Sequence, residues 1–112
     1  MNYNIETFPP FDRAAKRLAK RYKSLKDDLS QLINELRANP QMGTDLGNGF
    51  RKIRMAVKSK GKGKSGGARI ITFTLILSQE DTTIALLYLY DKSERSNITD
   101  KELETLMKEC GL

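Results

Sequence analysis

Basic side chains are concentrated in one segment of this sequence, and acidic side chains are absent from it. Between Arg51 and Arg69 there are eight of the 20 Lys and Arg residues and no Asp or Glu. Because the rest of the chain carries more acidic than basic residues, this segment accounts for the net charge of +6. Such a local excess of positive charge is typical of surfaces that bind a polyanion, for example the phosphate backbone of a nucleic acid. The eight residues are Arg51, Lys52, Arg54, Lys58, Lys60, Lys62, Lys64 and Arg69.

The first part of this segment has the period of a β-strand. Lys52 and Arg54 alternate with Ile53 and Met55, so a strand would place the two cations on one face and the apolar residues on the other. The following residues 58–67 are rich in glycine and lysine, and we call them the lysine loop. We interpret its lysines as steering charges of low positional precision. The alternative is a flexible solvated loop that only keeps the protein soluble.

The composition excludes several kinds of chemistry. There is no histidine, which removes Ser-His-Asp and Cys-His catalysis as well as histidine-ligated zinc, and the single Cys110 allows neither an internal disulfide nor a cysteine metal cluster. Gly63-Lys64-Ser65 resembles the end of a phosphate-binding P-loop, but Lys58 stands where that motif needs a glycine. The aspartates that could serve as ligands of a metal nuclease lack the required spacing, namely Asp27, Asp28, Asp81 and Asp91. We therefore expect neither a metal nor a cofactor.

The length of 112 residues predicts a single domain spanning residues 1–112. The longest apolar run is much shorter than the roughly 20 residues of a membrane-spanning helix, and the N-terminus lacks the pattern of a signal peptide. We therefore expect a cytoplasmic protein without membrane contacts.

Hydrophobic periodicity predicts an α+β fold with the order β-α-α-β-β-β-α. Residues 2–8 favour an edge strand, and apolar positions at helical spacing then predict two helices that form a hairpin. Ser24 and Asp27 resemble a capping box at the start of the second helix, which should end near Asn39-Pro40. Residues 41–49 are expected to be a loop.

The second half of the chain predicts a mainly antiparallel sheet followed by a C-terminal helix. Strands are expected at residues 50–57, 68–77 and 82–90, with a turn at residues 78–81 between the last two. Polar and apolar residues do not alternate strictly in these strands, which indicates that both faces of the sheet are partly covered. Thr99 and Glu102 form a second candidate capping box, which would open the last helix.

The position of Arg69 leaves two possibilities open. Strict alternation puts Arg69 on the same face as Ile71, Phe73 and Leu75. Either Arg69 precedes regular strand pairing, or the face that carries the cations is itself partly apolar.

Three segments together resemble the RelE/HigB branch of the RelE/ParE toxin superfamily, and the likeness extends over nearly the whole chain. The lysine-rich Gly-Lys-Gly-Lys-x-Gly-Gly-x-Arg pattern is most similar to the subgroup named HigB. The three segments are Phe50-Arg-Lys-Ile-Arg-Met-Ala-Val, Lys60-Gly-Lys-Gly-Lys-Ser-Gly-Gly-Ala-Arg-Ile-Ile and Leu89-Tyr-Asp-Lys-Ser-Glu-Arg-Ser-Asn-Ile.

The resemblance implies a toxin of a type II toxin–antitoxin system that cleaves mRNA, typically in the ribosomal A site. In this family the ribose 2′-OH attacks the adjacent phosphate without a metal, and lysines and arginines stabilise the negative charge of the transition state. The implied partners are a cognate antitoxin, which can form a hetero-oligomer with the toxin, and mRNA with the ribosome and its rRNA.

Carried over by motif, Lys52 is expected to transfer a proton or activate the 2′-OH, and Arg54 to stabilise the scissile phosphate. Arg69 matches a second phosphate clamp, for which a planar guanidinium is well suited. Lys92 is a further catalytic candidate, and Arg95 a basic position for substrate contact. The other expected RNA-binding residues are Arg51, Lys58, Lys60, Lys62, Lys64 and Tyr90.

The sequence departs from the RelE pattern at one position. Thr99 stands where the RelE pattern has a tyrosine proposed for proton transfer, so Tyr90 and Lys52 are both candidates for the general base. Tyr90 could instead stack on a base or pack in the core. The alternative functions are a ParE-like, non-catalytic inhibitor of DNA gyrase and a non-toxic RNA-binding module.

Overall fold

The computed structural model describes residues 2–112, and its elements follow the order that the sequence predicts, with two additions, a short strand and a 3-10 helix. Residues 41–49, expected to be a loop, include a short strand, so that expectation was wrong. The strand pairs with the cation-bearing strand through Thr44 opposite Lys52 and Asp45 opposite Arg51. The elements are β1 (Asn2–Thr7), α1 (Pro9–Arg21), α2 (Leu25–Ala38), β2 (Thr44–Gly47), β3 (Phe50–Met55), a 3-10 helix (Lys58–Lys60), β4 (Ala68–Ile76), β5 (Asp81–Asp91) and α3 (Asp100–Glu109).

The five strands form one sheet in the order β1-β5-β4-β3-β2. β1 pairs with β5 in parallel, and the β2–β3, β3–β4 and β4–β5 pairs are antiparallel. β1 therefore lies at one edge, as predicted, and the predicted turn joins β4 to β5 through main-chain hydrogen bonds from Leu77 and Ser78 to the carbonyl of Asp81. This order places the strand that carries Lys52 and Arg54 one position from the opposite edge.

Helices α1 and α2 cover one face of the sheet. Leu18 of α1 and Leu25 and Leu36 of α2 are fully buried in a cluster with Ile53 and Ile70 from the sheet. The alternation of β3 explains the contact, because Ile53 and Met55 point to this face while Lys52 and Arg54 point away from it.

Helix α3 packs on the other face. Its Leu103 and Leu106 join a second cluster with Phe50, Ile71 and Leu87. The β4–β5 register shifts between Ile71 and Thr72, and β5 contributes Ala85, Leu87 and Tyr90 to this cluster, a spacing that departs from strict alternation. Both faces are thus covered, as the blurred alternation of the strands predicted.

The two predicted capping boxes have different outcomes. The Thr99 side chain accepts from the amide of Glu102 at 3.1 Å, and the Glu102 carboxylate accepts from the amide of Thr99 at 3.0 Å, which confirms the box at α3. The box at α2 was wrong, because the Ser24 hydroxyl donates instead to the buried carboxylate of Asp28 at 2.7 Å. Asp28 also accepts from the amide of Lys58 at 3.2 Å, so these residues join α2 to the start of the lysine loop.

Among residues 2–112, none of the helices has both the length and the apolar character needed to span a bilayer.

Candidate active site

Three basic residues of β3 and β4 lie on the face of the sheet that carries α3. Arg54 pairs directly with Arg69, and Lys52 pairs with Ile71. Because directly opposite residues of antiparallel strands point to the same face, Lys52, Arg54 and Arg69 form one cationic face. Arg69 lies within regular pairing, so the second of the two open possibilities is correct: this face is apolar where Ile71 lies and cationic at its end.

Lys52 and Arg54 are the accessible members of the cationic face. Lys52 is half-buried as a residue, and its amine donates to the side-chain oxygen of Asn97 at 3.3 Å in an exposed hydrogen bond. Arg54 is exposed, and within the described residues it has no ion-pair partner. Both side chains can therefore bind a phosphate without first breaking an ion pair with a carboxylate.

Arg69 differs from them because it is only 4 % exposed. One terminal nitrogen of its guanidinium donates to the main-chain oxygens of Lys64 at 3.0 Å and Ala68 at 3.1 Å, and the other donates to that of Ser65 at 3.1 Å. Burial lowers the pKa of Arg69, and the nearby charge of Arg54 lowers it further. The guanidinium is thus engaged with the lysine loop rather than presented to solvent.

Tyr90 completes the buried side of this arrangement. It pairs with Arg69 across β4 and β5, is 1 % exposed, and its hydroxyl is buried without a hydrogen-bond partner among the described residues. Burial raises the pKa of Tyr90, although the charge of Arg69 partly opposes that shift. The expectation that Tyr90 stacks on an RNA base was therefore wrong for this arrangement, and the alternative of core packing is correct.

The family model of the RelE toxin of the RelE/RelB toxin–antitoxin system matches residues 11–111, which is nearly the whole chain. The chain belongs to the RelE toxin family. The resemblance found in the sequence is thereby confirmed, and membership implies a cognate antitoxin as partner.

Arg51 of this RelE-family chain does not join the cationic face. It alternates with Lys52 and so points to the other side of β3, where its guanidinium donates to the main-chain oxygens of Met42 at 3.3 Å and Gly43 at 3.1 Å. Its side chain also lies 3.8 Å from the carboxylate of Asp45. The expected RNA contact of Arg51 does not fit this geometry, in which Arg51 fastens β2 to β3.

Lys60 was expected to bind RNA and is instead a buried structural residue. Its amine lies 2.6 Å from the carboxylate of Asp91, and their side chains are 7 % and 1 % exposed. Burial raises the pKa of Asp91, but hydrogen bonds from Lys60, Tyr22 and Ser93 outweigh it and hold the pKa well below its usual range. Lys60 therefore anchors the lysine loop to the end of β5.

The other lysines of the loop remain exposed. Lys58, Lys62 and Lys64 have no carboxylate partner among residues 2–112. Lys58 and Lys64 line a groove of about 100 Å³ together with Arg54 and with residues of α2 that include Glu35. The RNA contacts expected of these three lysines stay predictions, and two of the lysines, Lys58 and Lys64, lie beside Arg54, an accessible member of the cationic face.

The basic side chains that follow β5 both make contacts within the protein. The Lys92 amine donates to the main-chain oxygen of Ser96 at 2.9 Å. Arg95 forms an ion pair with Glu102, which raises the pKa of Arg95, and its guanidinium lies 5.4 Å from the centre of the Tyr90 ring. These contacts shape the segment after β5 beside Lys52, and the expected RNA contacts of Lys92 and Arg95 stay predictions.

Sequence reasoning missed the residues that hold the cations in place. Asn97 contacts Lys52 from 45 positions away, and Asp91 contacts Lys60 from 31 positions away. The only sequence signal for Asp91 was its position directly after the apolar residues of a strand, where an acidic side chain can become buried if it is paired.

A separate cleft of about 400 Å³ between α1 and α3 includes Arg13, Arg17 and Arg95, and each of these arginines is paired with a glutamate.

Proposed function

We propose that this RelE-family toxin is a metal-independent endoribonuclease that cleaves mRNA in the ribosomal A site. The observation that supports the proposal most strongly is the cationic face, where Lys52, Arg54 and Arg69 lie together without a carboxylate partner among residues 2–112. An RNA phosphodiester is the ligand that such an arrangement favours, because the negative charge at phosphorus increases as the reaction proceeds.

The proposed reaction is an attack of the ribose 2′ oxygen on the adjacent phosphorus. The new bond forms between the 2′ oxygen and phosphorus, and the bond from phosphorus to the 5′ oxygen of the next nucleotide breaks. The products are a 2′,3′-cyclic phosphate and a free 5′-OH, so the proton lost by the 2′-OH is balanced by the proton gained by the leaving oxygen. Lys52 is the proposed proton-transfer group, since Tyr90 is buried away from the surface.

Arg54 is the proposed phosphate contact. Its exposed guanidinium can donate two parallel hydrogen bonds to two phosphate oxygens, and this geometry is stronger and more directional than a lysine contact. Arg69, opposite Arg54, adds a positive charge that no carboxylate among residues 2–112 compensates. Because Arg69 is buried in this arrangement, we do not assign it a direct contact with the phosphate. The site of action in the cytoplasm and the ribosome as partner are parts of the same proposal.

The test is inducible expression in bacterial cells followed by mapping of transcript 5′ ends. Wild-type protein should create new 5′-OH ends within translated regions, and Arg54→Ala should reduce their yield by about 100-fold or more, as expected for the loss of one transition-state contact. Arg37→Ala is the matched control, because Arg37 is exposed at the end of α2 and, among residues 2–112, its side chain bonds only to Asn34, at 3.2 Å.

Two outcomes would contradict the proposal in different ways. Growth arrest without new 5′ ends would favour the ParE-like inhibition of gyrase. New ends that are equally abundant with Arg54→Ala would leave the activity in place but remove the cationic face as its site. Purified protein incubated with ribosomes loaded with a defined mRNA would then test the ribosomal A site directly.

A further inference from the structure

Arg69 is a buried cation that contacts main-chain carbonyls instead of a carboxylate. A buried charge without an ionic partner has a desolvation cost, so its surroundings must hold it by hydrogen bonds. Those bonds go to Lys64 and Ser65 in the lysine loop and to the adjacent Ala68. The main chain of the loop is therefore fixed by the side chain of Arg69.

The lysine loop is also held at both of its ends. At the start, Lys60 pairs with Asp91 at 2.6 Å. At the end, the carbonyl of Gly67 accepts from the amide of Lys92 at 3.1 Å, and a Cβ on Gly67 would lie 2.1 Å from the main-chain oxygen of Met55. A loop with these contacts is more ordered than its glycine content suggests.

We propose that Arg69 is a positioning residue that holds Lys64 beside Arg54, so that the two together receive a backbone phosphate of RNA. Arg54 and Lys64 line the same groove, in which Lys58 is the third cation. Fixing the loop in the free protein removes the entropic cost of ordering it from the binding step. The choice of RNA as ligand rests on the proposed function, whereas the ordering of the loop by Arg69 does not.

A double-mutant cycle on RNA affinity tests the proposal. The probe is a fluorescent oligoribonucleotide with 2′-O-methyl groups throughout, which cannot react because it has no free 2′-OH. We expect Arg69→Gln and Lys64→Gln each to weaken binding by about 5-fold to 10-fold. In the Lys64→Gln background, Arg69→Gln should weaken binding by less than about 2-fold, because residues that act through one another are not additive.

Lys58→Gln provides the matched control. Lys58 lines the same groove, but its main chain is held by Asp28 and not by Arg69. Arg69→Gln should therefore keep its full effect on affinity in the Lys58→Gln background. If the effects of Arg69 and Lys64 multiply in the same way as those of Arg69 and Lys58, Arg69 does not act through Lys64 and the proposal is overturned.

Amide hydrogen exchange of the free protein supplies a readout that needs no RNA. Arg69→Gln should accelerate exchange at residues 64–67, and exchange in α1 and α3 should stay as in the wild type. Unchanged protection of the loop would refute the proposal. If wild-type protein fails to bind the oligonucleotide while the loop responds as expected, the proposed function fails and the positioning of the loop by Arg69 stands.

A second variant is useful in case Arg69→Gln does not fold. Gly66→Ala would place a Cβ 2.5 Å from that of Lys62, which displaces the loop while Arg69 remains intact. It should weaken RNA binding about as much as Arg69→Gln does. Wild-type affinity together with an accelerated exchange at residues 64–67 would show that the position of the loop is irrelevant to RNA binding.

Discussion

The buried ion pair between Lys60 and Asp91 leads to a prediction about stability. Their charged atoms are 2.6 Å apart, and their side chains are 7 % and 1 % exposed. Lys60→Met removes the ammonium group while it keeps an unbranched apolar stem of similar length. Asp91 would then stay buried without its closest positive partner.

The size of the effect follows from the contacts that Asp91 keeps. Removing one member of a buried pair typically costs about 3–5 kcal/mol. The Asp91 carboxylate retains hydrogen bonds from the hydroxyl of Tyr22 and from the amide and hydroxyl of Ser93, so we expect the lower end, about 3 kcal/mol. With about 4 °C per kcal/mol for a chain of this size, the Tm should fall by about 12 °C.

Lys58→Met is the matched control, because Lys58 is exposed and its side chain has no ion-pair partner within the part of the chain that the structure describes. Its free energy of unfolding should change by less than about 0.5 kcal/mol. Urea unfolding followed by circular dichroism measures both variants. If Lys60→Met is as stable as Lys58→Met, Lys60 is solvated and the buried ion pair has no energetic role.

Two further predictions concern the same part of the fold. The pKa of Asp91 is lower in the folded protein than the value of roughly 3.9 that applies to the unfolded chain, so its stabilisation is complete above about pH 4 and declines as the pH falls further. Tm measured between pH 2.5 and pH 7 should show this decline in wild-type protein and a flatter profile in Asp91→Asn. Gly67→Ala should lower the free energy of unfolding by more than about 2 kcal/mol, because the added Cβ would lie 2.1 Å from the main-chain oxygen of Met55. Gly63→Ala is its comparison, since within the described residues no atom beyond Gly63 and its two chain neighbours lies within 4 Å of the added Cβ, and the backbone φ of +62° opposes the substitution at about 1 kcal/mol. Equal unfolding energies for the two alanine variants would show that the loop moves away from β3.

The elements that the sequence predicted are those with a local signal. The period-two pattern of β3 and the capping box of Thr99 and Glu102 each involve residues that are close in the chain. β2 escaped prediction because Thr44–Gly47 has no strand pattern of its own and is a strand only through its pairing with β3. The failed box at Ser24 has the same origin, since the position of Asp28 and its bond to Lys58 are set by tertiary contacts.

In the candidate site, too, only the features with a local sequence signal could be predicted. The shared face of Lys52 and Arg54 follows from alternation alone, and the structure agrees with it. The burial of Arg69 depends on how the lysine loop folds over β4, and the burial of Lys60 depends on an aspartate 31 positions away. No pattern of residue types distinguishes such a lysine from its exposed neighbours Lys58 and Lys62.

Ion pairs mark two of the eight basic residues of the segment as structural. Of its eight basic residues, Arg51 and Lys60 have carboxylate partners, and the other six have none among residues 2–112. Arg54 lies directly opposite Arg69, an arrangement of like charges that destabilises an antiparallel pair. The lowered pKa of Arg69, which arises from burial and from Arg54, is a second sign of that repulsion. A polyanion bound at this face, such as the RNA of the proposed function, would relieve this repulsion between Arg54 and Arg69.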